Sequence, residues 1–512
     1  MSKRKLIVFT LCLVLITGMA WGGGGSQPAA AAAGGPMVIT WTANGQLAPL
    51  DDNPYMIKKW NEMFNVDIQL WHIDPANYFD VLNLRFAANE IPDFFQSDAN
   101  RLQLQFEQRL LAEIPENLVR EHLPISHKEF SELFPNYLKL TSFNNKIYGL
   151  RVFMDKPYRA PIVYRGDWIR NVGKQGTPKT LAEFEELVYL FTNNDPDRNG
   201  RKDTYGLSVT AFQTVYGAYG QVRSQWNIKN NELVYTSIQP EMKDALTVLA
   251  KWYRDGVIDP EFITGENKGG YWAVSHAFTE GRIGISSHGS FYHWDAPDNN
   301  RANIVEMQAR DPVAAASTVL GEPVTGPQGK KGVSMGHPVF GNLWAFGVQN
   351  DTNHAKIAKV MDIQNYFVSD PEVYITAFYG IRGQDWEYNP AMNNAPMQIG
   401  GKGNDYVYRI GAGATIKPLV TPSGEAARNA AWAQFCPANN LYSDGYRNEL
   451  IVPPPSSGRY LTELNKIEDE AYIAIITGAQ PVSYFDRFVS EWRAAGGDVL
   501  TREANAWFNT IK

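Results

Sequence analysis

The sequence predicts an α/β protein of two lobes built from interleaved chain segments. Three observations carry this. Strand-like and helix-like periodicities alternate as βαβαβ between residues 38 and 95, a pattern of mainly parallel sheets covered by helices. A second block of the same kind begins near Ala160. No linker-like break follows residue 36, so the two blocks and the helical C-terminus do not read as a string of separate domains. A chain of 512 residues can bury two or three good cores.

Val38 to Trp41 reads as the first strand. Asn53 and Pro54 then open a helix that carries Met56, Ile57, Trp60, Met63 and Phe64 on one side. Val66, Ile68 and Leu70 alternate as a second strand. A helix around Phe79, Leu82 and Phe86 follows, and Ile91-Pro-Asp-Phe-Phe95 returns to a strand. In the second block, Ile162 to Tyr164 is a strand and Thr180 with Glu183 forms a capping box. The helix that box opens has an apolar stripe of Leu181, Phe184, Leu187, Val188 and Phe191. The segment from Pro240 to Tyr253 is helical and stops at Gly256. Glu280-Gly281-Arg282 turns into a short strand, Ile283 to Ile285, and the Gly- and Pro-rich region 312–332 reads as a crossover. Helices close the chain, over Leu461 to Ile475, around Phe485, Phe488, Val489 and Trp492, and around Trp507 and Phe508.

Lys3, Arg4 and Lys5 precede an apolar run from Leu6 to about Ala20, which reads as a secretory signal peptide, too short and wrongly flanked for a membrane span. Residues 21–36 are Gly, Ala, Ser, Gln and Pro after Trp21, a flexible leader that packs no core. Phe9, Thr10 and Leu11 before Cys12 make a poor lipid-attachment site, so a lipid anchor is not expected. The formal net charge of −7 becomes more negative once the signal's three basic residues are removed, which makes nucleic acid a poor partner. Cys436 is then the single remaining cysteine and reads as a small buried hydrophobe.

Catalytic arrangements are weak. There is no zinc-protease motif and no phosphate-binding glycine loop. Gly332-Val-Ser-Met-Gly336 matches a nucleophile elbow, but Gly329-Lys-Lys before it and His337-Pro338 after it point to a glycine-rich loop. His288 and His293 have no obvious third ligand nearby for zinc. What stands out instead is 14 tryptophans and 25 tyrosines. Many fall outside clean core periodicities, among them Trp168, Tyr219, Trp226, Trp272, Tyr292, Trp294, Trp344 and Trp386. Aromatic faces flanked by polar groups suit ligands that stack through C–H faces and hydrogen-bond through hydroxyls, as sugar rings do. For any one of these residues the core and the cleft remain equal alternatives.

The stretch Asp195-Pro-Asp-Arg-Asn-Gly-Arg-Lys-Asp203 sets Asp195, Asp197, Asn199 and Asp203 at positions 1, 3, 5 and 9 of a calcium loop, with the Arg201 carbonyl at position 7 and Gly200 for the turn. Position 12, where an EF-hand switch needs a bidentate Glu, is Gly206. The alternative is an Asx-rich surface turn.

Several stretches spread over nearly the whole chain carry a resemblance: Ile91-Pro-Asp-Phe-Phe95, Asn145-Lys-Ile-Tyr-Gly149, Tyr164-Arg-Gly-Asp-Trp168, the loop from Asp195 to Gly206, Gly256-Val-Ile-Asp-Pro-Glu-Phe262, Phe278-Thr-Glu-Gly-Arg282, Tyr379-Gly-Ile-Arg-Gly383 and Phe485-Asp-Arg-Phe-Val489. In these the chain resembles the oligosaccharide-binding, family 1 extracellular solute-binding proteins of ABC importers, in the branch with alginate-binding and Lpl-type proteins. The resemblance implies a two-lobe periplasmic-binding-protein fold (type II) with a multi-strand hinge and an interlobe cleft. The expected division is 37–162 with 335–400 for lobe 1, and 163–334 with 401–512 for lobe 2.

It also implies capture of an oligosaccharide for delivery to the importer's membrane subunits, without chemistry, by a monomer. The protein would be secreted across the inner membrane and be periplasmic or associated with the cell surface. One structural Ca2+ is expected on Asp195, Asp197, Asn199, the Arg201 carbonyl and Asp203, although Thr204 stands where the relatives have an acidic residue. Ligand-binding positions expected on one lip are Trp41 or Asn44 and Asp98. Arg165, Trp168, Tyr219, Trp226 and Trp294 are expected on the other, with Trp344, Arg382 and Trp386 near the hinge. Arg165 has an alternative as an ion pair with Asp167, and Arg382 as a helix-end anchor; if both face the cleft, an acidic sugar is implied. The competing readings are a secreted polysaccharide-active enzyme and a binding protein for a peptide or another small polar solute.

Overall fold

The computed structural model describes residues 35–46, 48–154, 156–264, 274–295 and 302–511. The expected signal peptide, the leader up to residue 34 and Trp272 lie outside the described residues.

Nine strands make the two sheets that organise the described residues: β1 (Met37–Thr42), β2 (Val66–Leu70), β3 (Phe94–Asp98), β4 (Leu150–Phe153), β5 (Ile162–Arg165), β6 (Tyr205–Leu207), β7 (Ile283–Ser286), β8 (Thr318–Gly321) and β9 (Val339–Phe346). The first sheet runs β2-β1-β3-β9-β4, with β1 parallel to both neighbours and β9 antiparallel to β3 and β4. The second runs β8-β5-β7-β6, with β5 antiparallel to both neighbours and β7 parallel to β6.

The predicted βαβαβ is present, with helices at Tyr55–Phe64 and Tyr78–Ala87. Its third strand begins three residues later than expected, because Pro92 has no N–H to donate and Asp93 is used otherwise. The Asp93 carboxylate accepts from the Thr40 N–H at 2.9 Å and from Lys356 Nζ at 2.8 Å, which fixes the approach of β3 to β1. The region 312–332 is more than a crossover, since β8 inside it forms the edge of the second sheet.

Each sheet has its own core. Around the first, Trp41 packs edge-on to Phe94 at 4.8 Å, and Phe94 stacks on Trp344 at 4.6 Å. Around the second, the stripe of the capped helix Leu181–Asn193 packs on Trp168, Leu207, Leu246 and Trp252. The segment with Val407, Ile410, Ala412, Ile416 and Leu419 lies in the first core. Farther on, Glu425 takes a hydrogen bond from the Tyr374 hydroxyl at 3.1 Å. This stretch, expected in lobe 2, thus buries its apolar side chains in the first core.

Three crossings of the chain between the cores lie side by side. Val333–Met335 runs parallel to Gly445–Arg447. On its other edge, the Gly336 N–H donates to the Tyr158 carbonyl at 3.0 Å and the Ala160 N–H to the Ser334 carbonyl at 2.7 Å. Buried Arg159 braces this ribbon: its guanidinium donates to the carbonyls of Asn440, Ala160, Gly321 and Asn439 at 3.1, 3.1, 3.0 and 3.3 Å. Ser334, the centre of the elbow-like motif, sits in this ribbon and accepts from Gln225 Nε2 at 2.9 Å, with no histidine base on it.

Candidate ligand site at the lobe junction

Beyond β7 the chain forms a short loop, 287–293, against the ribbon. Gly289 is required there: its φ is +66°, and a Cβ would lie 2.2 Å from His293 Nδ1. Trp294 Nε1 donates to the His288 carbonyl at 2.8 Å and fixes the loop from below. The loop presents Phe291 and Tyr292 to helix Trp432–Ala438. Buried Phe291 contacts Tyr158 and Trp432 edge-on, both at 5.0 Å. Above it, half-buried Tyr292 and Trp432 stack with centroids 5.4 Å apart and planes 12° from parallel. Their partial exposure gives an aromatic shelf at the junction.

Tyr442 packs into the same cluster and also lines a cavity of about 650 Å³ beside the ribbon. Tyr219, Tyr446, Arg447, Glu241 and Lys330 line it as well. Two of its acids are engaged: Glu241 pairs with Lys229 at 3.0 Å and Asp444 with Lys331 at 2.8 Å. Burial pushes the carboxyl of Glu449 up, against the opposing pull of Arg447. Shelf and cavity together give stacking faces, hydroxyls and fixed charge, the combination that holds a polyhydroxylated ligand.

Of the residues expected at the site, Tyr219 lines the cavity. Six tryptophans are core residues instead. Trp41 and Trp344 are 0% and 3% exposed in the first core, Trp168 and Trp226 are 0% and 7% in the second, Trp294 is 0% against Phe278, and Trp386 is 0% with Nε1 on the Gly380 carbonyl. Their rings are consumed by apolar packing and offer no face to a ligand. Arg165 forms its ion pair with Asp167 at 2.9 and 2.5 Å and lies over Trp168. Arg382 is held on the surface between Glu372 at 2.9 Å and Glu387 at 2.7 Å. Neither arginine therefore supplies an acid-reading group. Asp98 caps helix Ala99–Glu107 by accepting from the Arg101 N–H at 3.0 Å and pairs with the Arg101 guanidinium. The Asn44 carbonyl accepts from Lys417 Nζ at 3.0 Å, which also reaches Gln96 at 2.9 Å. Asn44 and Asp98 thus stand at the C-terminal edge of the first sheet, where backbone and carboxylate are already in use.

Trp432, Tyr442, Tyr446 and Arg447 were not singled out from the sequence. Tyr292 was noticed only as one aromatic among many. The signal that could have found the shelf is Trp432 behind the Ala-rich run 426–431, which gives a helix too little apolar bulk to bury an indole fully.

The loop after Leu181–Asn193 brings its oxygen donors together. Asp195 accepts from the N–H groups of Asn199 and Gly200 at 3.0 and 3.1 Å, and the Asn199 amide bridges Asp197 at 2.7 Å and Asp203 at 3.2 Å. Partial burial, then the proximity of Asp195 and Asp203, holds the Asp197 carboxyl above its usual range. Crowded carboxylates of this kind are what a hard cation relieves, so the donor set fits one. Among the described residues no group of three His, Cys, Asp or Glu alone could hold a metal ion; this loop would need the Asn199 side chain and a backbone carbonyl. Gly206 lies in β6, where a Cβ would be 2.9 Å from the Val188 Cα, so a glutamate at position 12 would force its surroundings to shift and the EF-hand's bidentate twelfth-position ligand has no ready place here.

No protein-family model matches the chain. It is 24% identical over 480 residues to the polygalacturonan/rhamnogalacturonan-binding protein YtcQ of Bacillus subtilis (strain 168), covering 89% of this chain and 88% of that one. Among solved structures it is similar to an HMO-binding, ABC-transporter-associated solute-binding protein from Bifidobacterium longum infantis, with a TM-score of 0.68 and 14% identity over 94% of this chain and all of that one. It is similar also to an EF-hand mutant of the Streptococcus pneumoniae substrate-binding protein FusA in complex with fructo-nystose, with a TM-score of 0.65 and 15% identity over 92% and 99% of the two chains. Two sheets with separate cores, three chain crossings between them and solved neighbours matched over nearly their whole length lead to one conclusion: the chain has the two-lobe fold of the periplasmic solute-binding proteins.

Proposed function

We propose that the protein captures an oligosaccharide at the lobe junction and delivers it, unaltered, to the membrane subunits of an ABC importer. The observation that carries this reading is the half-buried Tyr292–Trp432 stack beside a tyrosine-lined cavity on the hinge ribbon. Sugar C–H faces stack on such rings, and the cavity's hydroxyls and amides pair the sugar's own hydroxyls. The relatives' names, which specify pectic polymers and fructo-oligosaccharides, support a saccharide. A ligand that touches both lobes stabilises the closed arrangement, which an importer can tell from the empty one.

The proposed protein acts as a monomer outside the cytoplasmic membrane. No helix among the described residues is long and apolar enough to cross a membrane. One Ca2+ held by Asp195, Asp197, Asn199, the Arg201 carbonyl and Asp203 would brace the end of helix Leu181–Asn193. The ion would neutralise the three carboxylates there, and the FusA EF-hand variant supports such a site in this fold.

Thermal-shift screening of the full chain against neutral and acidic oligosaccharides tests the reading, since a ligand selective for the folded protein raises its melting temperature. Saturable stabilisation with the ligand recovered intact is the expected result. Cleavage products in the recovered ligand would replace capture with catalysis.

A further inference from the structure

We infer that Arg447 reads a carboxylate on the captured saccharide, which makes the cargo a uronic-acid oligosaccharide. This deepens the proposed capture function and rests on it. The cavity is lined by cations and acids that mostly cancel. Lys229 is paired with Glu241, and Asp444 is paired with Lys331 outside the lining. Arg447 lines the cavity half-buried and, among the described residues, has no ion pair or side-chain hydrogen bond. Exposed Lys330, which also lines the cavity, has no ion pair among the described residues either. The nearby acid, Glu449, is partly buried in the lining and is disfavoured as an anion there.

An unengaged guanidinium in a partly desolvated wall presents two parallel N–H donors, which match the two oxygens of a carboxylate. A neutral sugar hydroxyl satisfies that fork poorly and leaves its charge uncompensated. Tyr446 precedes Arg447 and Tyr442 lies nearby on the same wall, so a sugar ring can stack while its C6 carboxylate meets the guanidinium. Arg447 also ends the hinge strand Gly445–Arg447, so a carboxylate bound here pulls directly on the ribbon that joins the lobes.

Calorimetric titration of the full chain with trigalacturonate, its trimethyl ester and maltotriose tests this. The acid form is expected to bind at least tenfold more tightly than the ester. Arg447→Gln is expected to weaken the acid form roughly tenfold to a hundredfold and the ester far less. Arg447→Lys is expected to retain part of the affinity for the acid form, and Lys330→Gln, at an exposed position, to cost about threefold through weaker long-range attraction. Equal binding of acid and ester, or of acid by wild type and Arg447→Gln, overturns the role of Arg447. Binding of maltotriose but not of trigalacturonate overturns it while leaving saccharide capture standing; binding of none of the three overturns both.

Discussion

Tyr292 and Trp432 lie 140 residues apart in the sequence and stack with planes 12° from parallel at the lobe junction. Six other tryptophans expected at the site are buried in cores. The two groups should respond differently to substitution. Trp168→Phe and Trp344→Phe remove buried ring volume, so each is expected to lower stability by about 1–3 kcal/mol with ligand affinity unchanged, measured by denaturant melts and calorimetry.

Much of the fold was legible because local periodicity decided it. The capping box at Thr180 and Glu183 forms as read, with the Glu183 N–H donating to Thr180 Oγ1 at 3.2 Å, and the helix it opens buries the predicted stripe. The site was less legible, because a tryptophan in a Gly- or Asn-rich stretch has the same sequence signature in a core and in a cleft. Trp294 shows this: its loop context is open, yet the ring is fully buried on Phe278. Long-range returns were also hidden. Nothing local tells Val407 and Leu419 that they belong under the first sheet, and nothing near Arg447 announces that its strand pairs with residues 333–335.

Calcium removal should act on stability and not on cargo choice. A chelator, or Asp197→Ala, is expected to lower the melting temperature, by about 2–3 kcal/mol of stability where the ion stands a hundredfold above its Kd. The order of preference among oligosaccharides should not change, and a reordered preference at unaltered stability would contradict the bracing role.

Gly206→Glu supplies the missing ligand at position 12 yet should not tighten metal binding. Its Cβ would lie 2.5 Å from Val188 Cγ1 and 2.9 Å from backbone. A loss of about 1–3 kcal/mol or more is expected in thermal melts.

Arg159→Met takes the guanidinium donor from the buried Gly321 carbonyl and from the part-buried carbonyls of Asn439 and Asn440, and removes a buried side chain that ties the three crossings together. A destabilisation of about 3 kcal/mol or more follows. Because these carbonyls brace the hinge, amide hydrogen exchange should rise first in 158–160 and 333–336.

Stability should fall with acid through two histidines. Burial, with neighbouring positive charge, pushes His293 and His337 down to about 4 from an ordinary value of 6.5. Both are neutral in the folded chain at pH 6 while the unfolded chain takes up their protons. The stability they permit is therefore full above pH 6.5 and is lost as pH falls toward 4, by at most roughly 1.4 kcal/mol per pH unit for each proton. His337, half-buried, contributes the smaller share. Urea melts of His293→Gln against wild type between pH 4 and 7 should show a shallower pH slope.

The central claim, that a saccharide seats on the shelf at the lobe junction, is tested most directly by fluorescence titration of wild type and Trp432→Ala with one stabilising oligosaccharide. The account predicts a saturable tryptophan signal in wild type and an affinity reduced roughly tenfold or more in the variant at unchanged fold. Equal affinity in the two proteins would contradict it.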